Sequence, residues 1–133
     1  DSYEDARTAA SEPEDLIREG KHNLTLQWIS WEEPGSVEIT KIDNNTYRVL
    51  GEQIGPYGND FLTVDGILRP VTGKELIFDG TIKTRVSHVN GGETCMRNGK
   101  QIFESTKGRK YWRMQNMTNC EGGASVDYID IYF

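Results

Sequence analysis

The chain is poor in the residues that carry most enzymatic and metal chemistry. It has two cysteines and two histidines in 133 residues. No C-x-x-C occurs, so neither a zinc ribbon nor a thioredoxin-type redox motif has the spacing it requires. No G-x-S-x-G or phosphate loop ending in Gly-Lys-Ser/Thr is present. Ser87 precedes His88, but neighbouring residues of a strand point to opposite faces, so the two form no dyad. The acidic-amide stretches "DNN" and "NGND" lack the twelve-residue pattern of a calcium loop. No apolar run approaches the length needed to cross a bilayer, so no membrane span is expected. These absences leave no catalytic residue, metal ligand or cofactor motif to name, and a non-enzymatic role is the expectation.

Charge is the next constraint. The net charge is −6, with 21 acids against 15 bases. That balance argues against nucleic acid as a partner. The distribution is uneven, however. Arg97, Lys100, Lys107, Arg109, Lys110 and Arg113 crowd one segment that holds a single acid, Glu104. This basic segment is a candidate interaction patch for an acidic surface. Cys95 and Cys120 sit in polar, turn-rich surroundings ("GGETCMRNG", "TNCEGG") rather than in apolar runs, which suits a disulfide. Closing a loop of that length contributes roughly 3 kcal/mol by chain entropy. A disulfide points to an extracytoplasmic protein, secreted or periplasmic, and a first residue that is Asp rather than Met suits a processed or trimmed product. Asn23, Asn44 and Asn116 each open an Asn-x-Thr sequon.

What the chain has in quantity is alternation. From Leu24 onward the apolar period is two, interrupted by Gly, Pro and Asn. "LTLQWISW", "SVEITKI", "TYRVLGEQI", "DFLTVDG", "KELIFDG", "TIKTRVSHV", "QIFES", "YWRMQNM" and "VDYIDIYF" give about nine strands at the turn spacing of an all-β barrel or sandwich. Asn98-Gly99 in "RNGK" reads as a two-residue hairpin, and residues 55–60 as an exposed loop. Residues 1–10 read as a flexible tail. Residues 11–20 read as one short N-terminal helix, capped at Ser11, carrying Glu14 as the second half of a capping box and stopped at Gly20. The expected architecture is one domain over 11–133: an all-β antiparallel meander closed into a barrel, with that helix covering an end or edge.

The stretch "RKYWRMQNM" carries the most functional content. As a strand it buries Trp112 and Met114 on one face and sends Tyr111, Arg113 and Gln115 to the other. In "DYIDIYF" Asp127 falls on the face of Ile129 and Ile131, at its wet end, while Tyr128, Asp130 and Tyr132 share the opposite face. Tyr111, Arg113, Gln115, Tyr128 and Tyr132 are therefore the candidate ligand-binding residues. A tryptophan in the first strand (Trp28), consecutive hairpins and an arginine-aromatic strand near the end resemble the calycin group of barrels, such as lipocalins, although Gln27 rather than the Gly-x of a Gly-x-Trp motif precedes Trp28. The resemblance implies a barrel that holds a small or extended ligand at its mouth. Small acidic secreted β-proteins with one disulfide also include inhibitors of lysozyme-type enzymes. The alternative is thus a protein-protein module, such as a secreted or periplasmic enzyme inhibitor, presenting loop 55–60 and the 97–100 segment. The partner is accordingly a small molecule or another protein.

Overall fold

A computed structural model describes residues 17–56, 59–105, 109–123 and 125–133. Among them, eight strands form one closed antiparallel barrel in simple chain order. They are β1 (Gly20–Leu26), β2 (Ser30–Asp43), β3 (Thr46–Ile54), β4 (Phe61–Thr72), β5 (Glu75–Arg85), β6 (Cys95–Glu104), β7 (Tyr111–Met114) and β8 (Ile129–Tyr132). Closure is made by β1 and β8, which register Asn23 opposite Tyr132 and Leu26 opposite Ile129. Asn23–Leu26 of β1 and Ile129–Tyr132 of β8 are thereby paired, while β6 and β7 join through only two residue pairs, Phe103 with Met114 and Glu104 with Arg113.

Alternation produces the core directly. Leu24, Leu26, Val37, Ile39, Tyr47, Val49, Leu62, Val64, Leu68, Leu76, Phe78, Ile82, Phe103, Trp112, Met114, Ile129 and Ile131 all point inward and join one buried cluster. Each buried large side chain contributes about 1.5–3 kcal/mol of transfer free energy, and a register slip of one residue would put an entire strand's set in water. Register is therefore fixed by burial. The interior is a packed apolar core.

Three local expectations are corrected. The first is the helix. Its residues 11–16, like the tail 1–10, lie outside the described residues. Ile17 is buried against the core cluster, Gly20 already opens β1, and no α-helix occurs among the described residues. Gly20 has φ +111°, so the chain turns there directly into the sheet.

The second is the strand break at Gly80. "KELIFDG" and "TIKTRVSHV" are not two strands. Glu75–Arg85 is one strand that runs through Gly80. Gly80 faces Gly66 of β4, and Phe78 lies over both: a Cβ built on Gly66 would meet the Asp79 carbonyl at 2.5 Å and Phe78 Cζ at 2.7 Å. These inward-facing glycines let adjacent backbones close in at a bend, a device small barrels need.

The third is the Asn98-Gly99 hairpin. Both residues lie within β6, where Gly99 (φ +109°) pairs with Gly80, so the strand continues instead of turning. The turn between β5 and β6 falls instead at the tight-turn signal "NGG", where Asn90–Gly92 form a 3-10 turn.

The disulfide is present. Cys95 at the start of β6 is bonded to Cys120 with a Cα–Cα distance of 5.6 Å. All three sequon asparagines, Asn23, Asn44 and Asn116, are exposed. No helix of the described residues is long and apolar enough to cross a membrane.

An aromatic-arginine platform on the outer wall

β7 and β8 are short, and their alternation divides the candidate residues cleanly. Trp112 and Met114 enter the core. Tyr111 and Arg113 therefore face outward, as do Asp130 and Tyr132 of β8, because Ile129 and Ile131 take the interior. Pairing puts Arg113 opposite Asp130 and Tyr111 opposite Tyr132, and Asp130 in turn stands opposite Thr25 of β1. Arg113 Nε donates to Asp130 Oδ1 at 2.8 Å and Nη2 donates to Oδ2 at 2.9 Å, a two-pronged ion pair. This geometry matches the fixed fork of guanidinium to the two oxygens of carboxylate.

Aromatic rings enclose the pair. The Arg113 guanidinium carbon lies 4.3 Å from the Tyr128 ring centre, 4.9 Å from Tyr111 and 5.8 Å from Trp31. Such contacts contribute about 0.5–1 kcal/mol when exposed and up to about 2 when desolvated. Tyr111 and Tyr132 pack with centres 5.9 Å apart, and the Tyr132 hydroxyl is 3.4 Å from that of Thr25. As a result Asp130 is 0% exposed although it lies on the outside of the barrel, while the Arg113 side chain keeps 20% of its surface. The hydrogen bonds to Asp130 hold the Arg113 guanidinium above its ordinary pKa, against the opposing effect of burial.

The structure thus brings Tyr111, Arg113, Tyr128 and Tyr132 together, on the outer wall and not in a lumen. Gln115 stands apart: it is exposed, and its side-chain amide donates to the Arg113 carbonyl. Trp31 was not singled out by sequence reasoning, and Asp130 was placed on the face of Tyr128 and Tyr132 without being named a site residue. Asp130 reads as a solvent carboxylate because alternation alone places it outside. Trp31 is half exposed at the start of β2 and reaches the platform from the β1–β2 corner, a juxtaposition with no local signal.

The basic segment is divided. Arg109 and Lys110 are exposed immediately beside the platform, with the Arg109 guanidinium 5.6 Å from the Tyr111 ring. Lys100 is exposed on β6. Lys107 lies outside the described residues. Arg97 is turned into the end of the barrel: its side chain is 8% exposed and donates through Nη2 to Asp127 and to the Thr118 carbonyl. Asp127 is not at a wet end either. It is 1% exposed and also accepts from Trp28 Nε1 and Asn119 Nδ2. A buried carboxylate requires that many donors, since desolvation would otherwise cost it several kcal/mol. The adjacent Cys95–Cys120 bond holds the 118–120 segment over this network.

Of loop 55–60, Tyr57 and Gly58 lie outside the described residues, and the remainder is tied down. Gly55 N donates to the Asp60 carbonyl, and Asp60 accepts from both the backbone and the hydroxyl of Ser87. His22 lies against the backbone carbonyls of Arg18 and Tyr132, and His88 packs on the Trp28 ring.

Compared with known proteins, residues 6–133 match the model of the PM1083 family. The chain belongs to the PM1083 family. Its similarity to the uncharacterized protein PM1083 of Pasteurella multocida (strain Pm70) is 39% identity over 115 residues, 86% of this chain and 72% of that protein. No solved structure matches the chain. For this PM1083-family barrel the platform is therefore read from its own geometry.

Proposed function

We propose that this chain is a non-enzymatic binding protein of an extracytoplasmic compartment, secreted or periplasmic, that engages a partner protein through the outer wall over β7 and β8. The observation that carries the reading is the Arg113 guanidinium clamped by Asp130 beneath three aromatic rings, one of them the half-exposed Trp31. Tryptophan, tyrosine and arginine are the residues that dominate binding energy at protein interfaces, and here they are already ordered, so little side-chain entropy remains to be lost on contact.

The charge of Arg113 is neutralised by Asp130, so the net attraction of the patch comes from exposed Arg109 and Lys110 beside it. The partner segment that suits this combination bears carboxylates and an aromatic or apolar side chain. An inhibitor of another enzyme is one form such a contact takes. The packed apolar interior favours this surface reading over a ligand held at the barrel mouth. The disulfide and the lack of a membrane-crossing helix among the described residues are compatible with the compartment.

Peptide display against the immobilised protein tests the proposal. The selected sequences are expected to be rich in Asp and Glu next to an aromatic residue. Trp31→Ala is expected to weaken their binding at least tenfold, on the order of a hot-spot truncation, and the pair Arg109→Glu, Lys110→Glu to abolish it, with unchanged melting temperatures. Peptides without acidic enrichment, or affinities indifferent to both variants, refute the proposal.

A further inference from the structure

The partner chemistry that suits the platform, carboxylates beside an aromatic side chain, occurs on the surface of the chain itself. Trp31, Glu32 and Glu33 are consecutive and exposed at the start of β2. They form a tip where the register between β1 and β2 shifts, between Leu24 and Leu26. Polar bonds beneath hold the tip in place. The N–H groups of Glu32 and Glu33 donate to the Ser30 hydroxyl at 3.0 and 2.9 Å. Gln53, 1% exposed, donates through Nε2 to the carbonyls of Ser30 and Glu33 and accepts from the Leu26 N–H. A buried amide thus fixes the backbone of a segment whose side chains stay in water, so little backbone entropy is left to lose on docking.

The tip and the basic residues occupy different ends of the platform. Trp31 reaches the Arg113 guanidinium from β2, across β8 and β1. Tyr111 stacks on that guanidinium from two positions back along β7, and its ring carries Arg109. Exposed Arg109 and Lys110 therefore lie at one end and exposed Glu32 and Glu33 at the other, with Arg113 between them. Arg113 brings its own carboxylate, Asp130. A surface with acids at one end and bases at the other is complementary to a copy of itself rotated by half a turn. That is the geometry of a two-fold dimer, in which one patch serves both subunits.

We infer that the partner of the platform is a second copy of this chain. Trp31, Glu32 and Glu33 of each copy dock against Tyr111, Arg109 and Lys110 of the other, about a two-fold axis near Arg113. This pairing rests on the reading of the platform as a protein-docking surface and supplies its partner.

Sedimentation velocity of the full chain over a concentration series tests the pairing. The mass is expected to rise to that of two chains and to fall back as salt screens the charges. Glu32→Lys, Glu33→Lys sets lysines against Arg109 and Lys110, and Arg109→Glu, Lys110→Glu sets glutamates against Glu32 and Glu33. Each double variant is expected to melt with the parent and to self-associate about a hundredfold more weakly. An equimolar mixture of the two is expected to form a mixed dimer, because introduced lysines meet introduced glutamates at one contact and native residues meet at the other. A parent that stays monomeric up to millimolar concentration, double variants that dimerise like the parent, or a mixture that stays monomeric would overturn the inference. Acidic-aromatic peptides captured by a monomeric parent would leave the platform reading standing alone, and failure to capture them would sink both.

Discussion

Removing either half of the Arg113–Asp130 pair gives unequal results, because the two partners are buried unequally. Asp130 is 0% exposed and Arg113 retains 20% of its side-chain surface. In Arg113→Met the carboxylate is stranded beneath tyrosine rings with no route to water, and breaking a buried pair in this way costs about 3–5 kcal/mol. In Asp130→Asn the guanidinium keeps its stacking on Tyr128 and Tyr111 and rotates its free edge into solvent, so the loss is about 1–2 kcal/mol. With an unfolding entropy of about 2.1 cal/mol/K per residue, a chain of 133 residues loses about 3.6 °C of melting temperature per kcal/mol. The expected decreases are therefore about 11–18 °C for Arg113→Met and about 4–7 °C for Asp130→Asn. The double variant Arg113→Met, Asp130→Leu leaves no orphaned charge and is expected to melt above Arg113→Met alone. Thermal unfolding by circular dichroism, with the disulfide intact, measures all three. If Asp130→Asn proved as damaging as Arg113→Met, or the double variant were the least stable, the burial asymmetry would not be what governs this pair.

Three further outcomes follow from the same coordinates. Reducing the Cys95–Cys120 bond, which closes a separation of 25 residues, is expected to lower stability by roughly 3 kcal/mol and the melting temperature by about 11 °C; an unchanged melt under reductant would show that the hydrogen bonds around Asp127 hold that end by themselves. Gly66→Ala is expected to prevent folding or lower the melting temperature severely, because its Cβ would lie 2.5 Å from the Asp79 carbonyl, whereas Gly73→Ala meets nothing within 4 Å; similar melts for the two would refute the bend assigned to Gly66 and Gly80. The Ser125 hydroxyl and the Asn90 N–H both donate to Glu121 and hold its carboxyl below its ordinary value of 4.5. A depressed folded-state pKa stabilises above the unfolded value and loses that contribution as pH falls through the folded one. Glu121→Gln is accordingly expected to flatten the acid limb of the stability profile, and a profile parallel to that of the parent would contradict the assignment.

Much of the fold was legible because alternation is a local signal. The buried face of every strand from Leu24 to Ile131 follows from the period of two, and Trp112 and Met114 could be assigned inward from their own strand. Tyr111, Arg113, Tyr128 and Tyr132 could be grouped for the same reason. Glycine was less legible. Gly80 and Gly99 carry the composition of turns, and only the neighbouring backbone determines that they bend strands instead of ending them. Arg97 illustrates the limit for charge: in the sequence it belongs to a basic run, and in the barrel it is an interior partner of Asp127.

By itself, then, the sequence determined that this is an all-β chain and which side chains of each strand leave water, since both depend on residues two apart. Tertiary structure decided whether an outward-facing group is wet. Asp130 is dry because closure sets β8 against β1 and β7, and rings from Trp31, Tyr111 and Tyr128 then cover the Arg113 clamp above it. Those rings come from segments about a hundred positions apart, and no local pattern records a meeting that only the closed register creates.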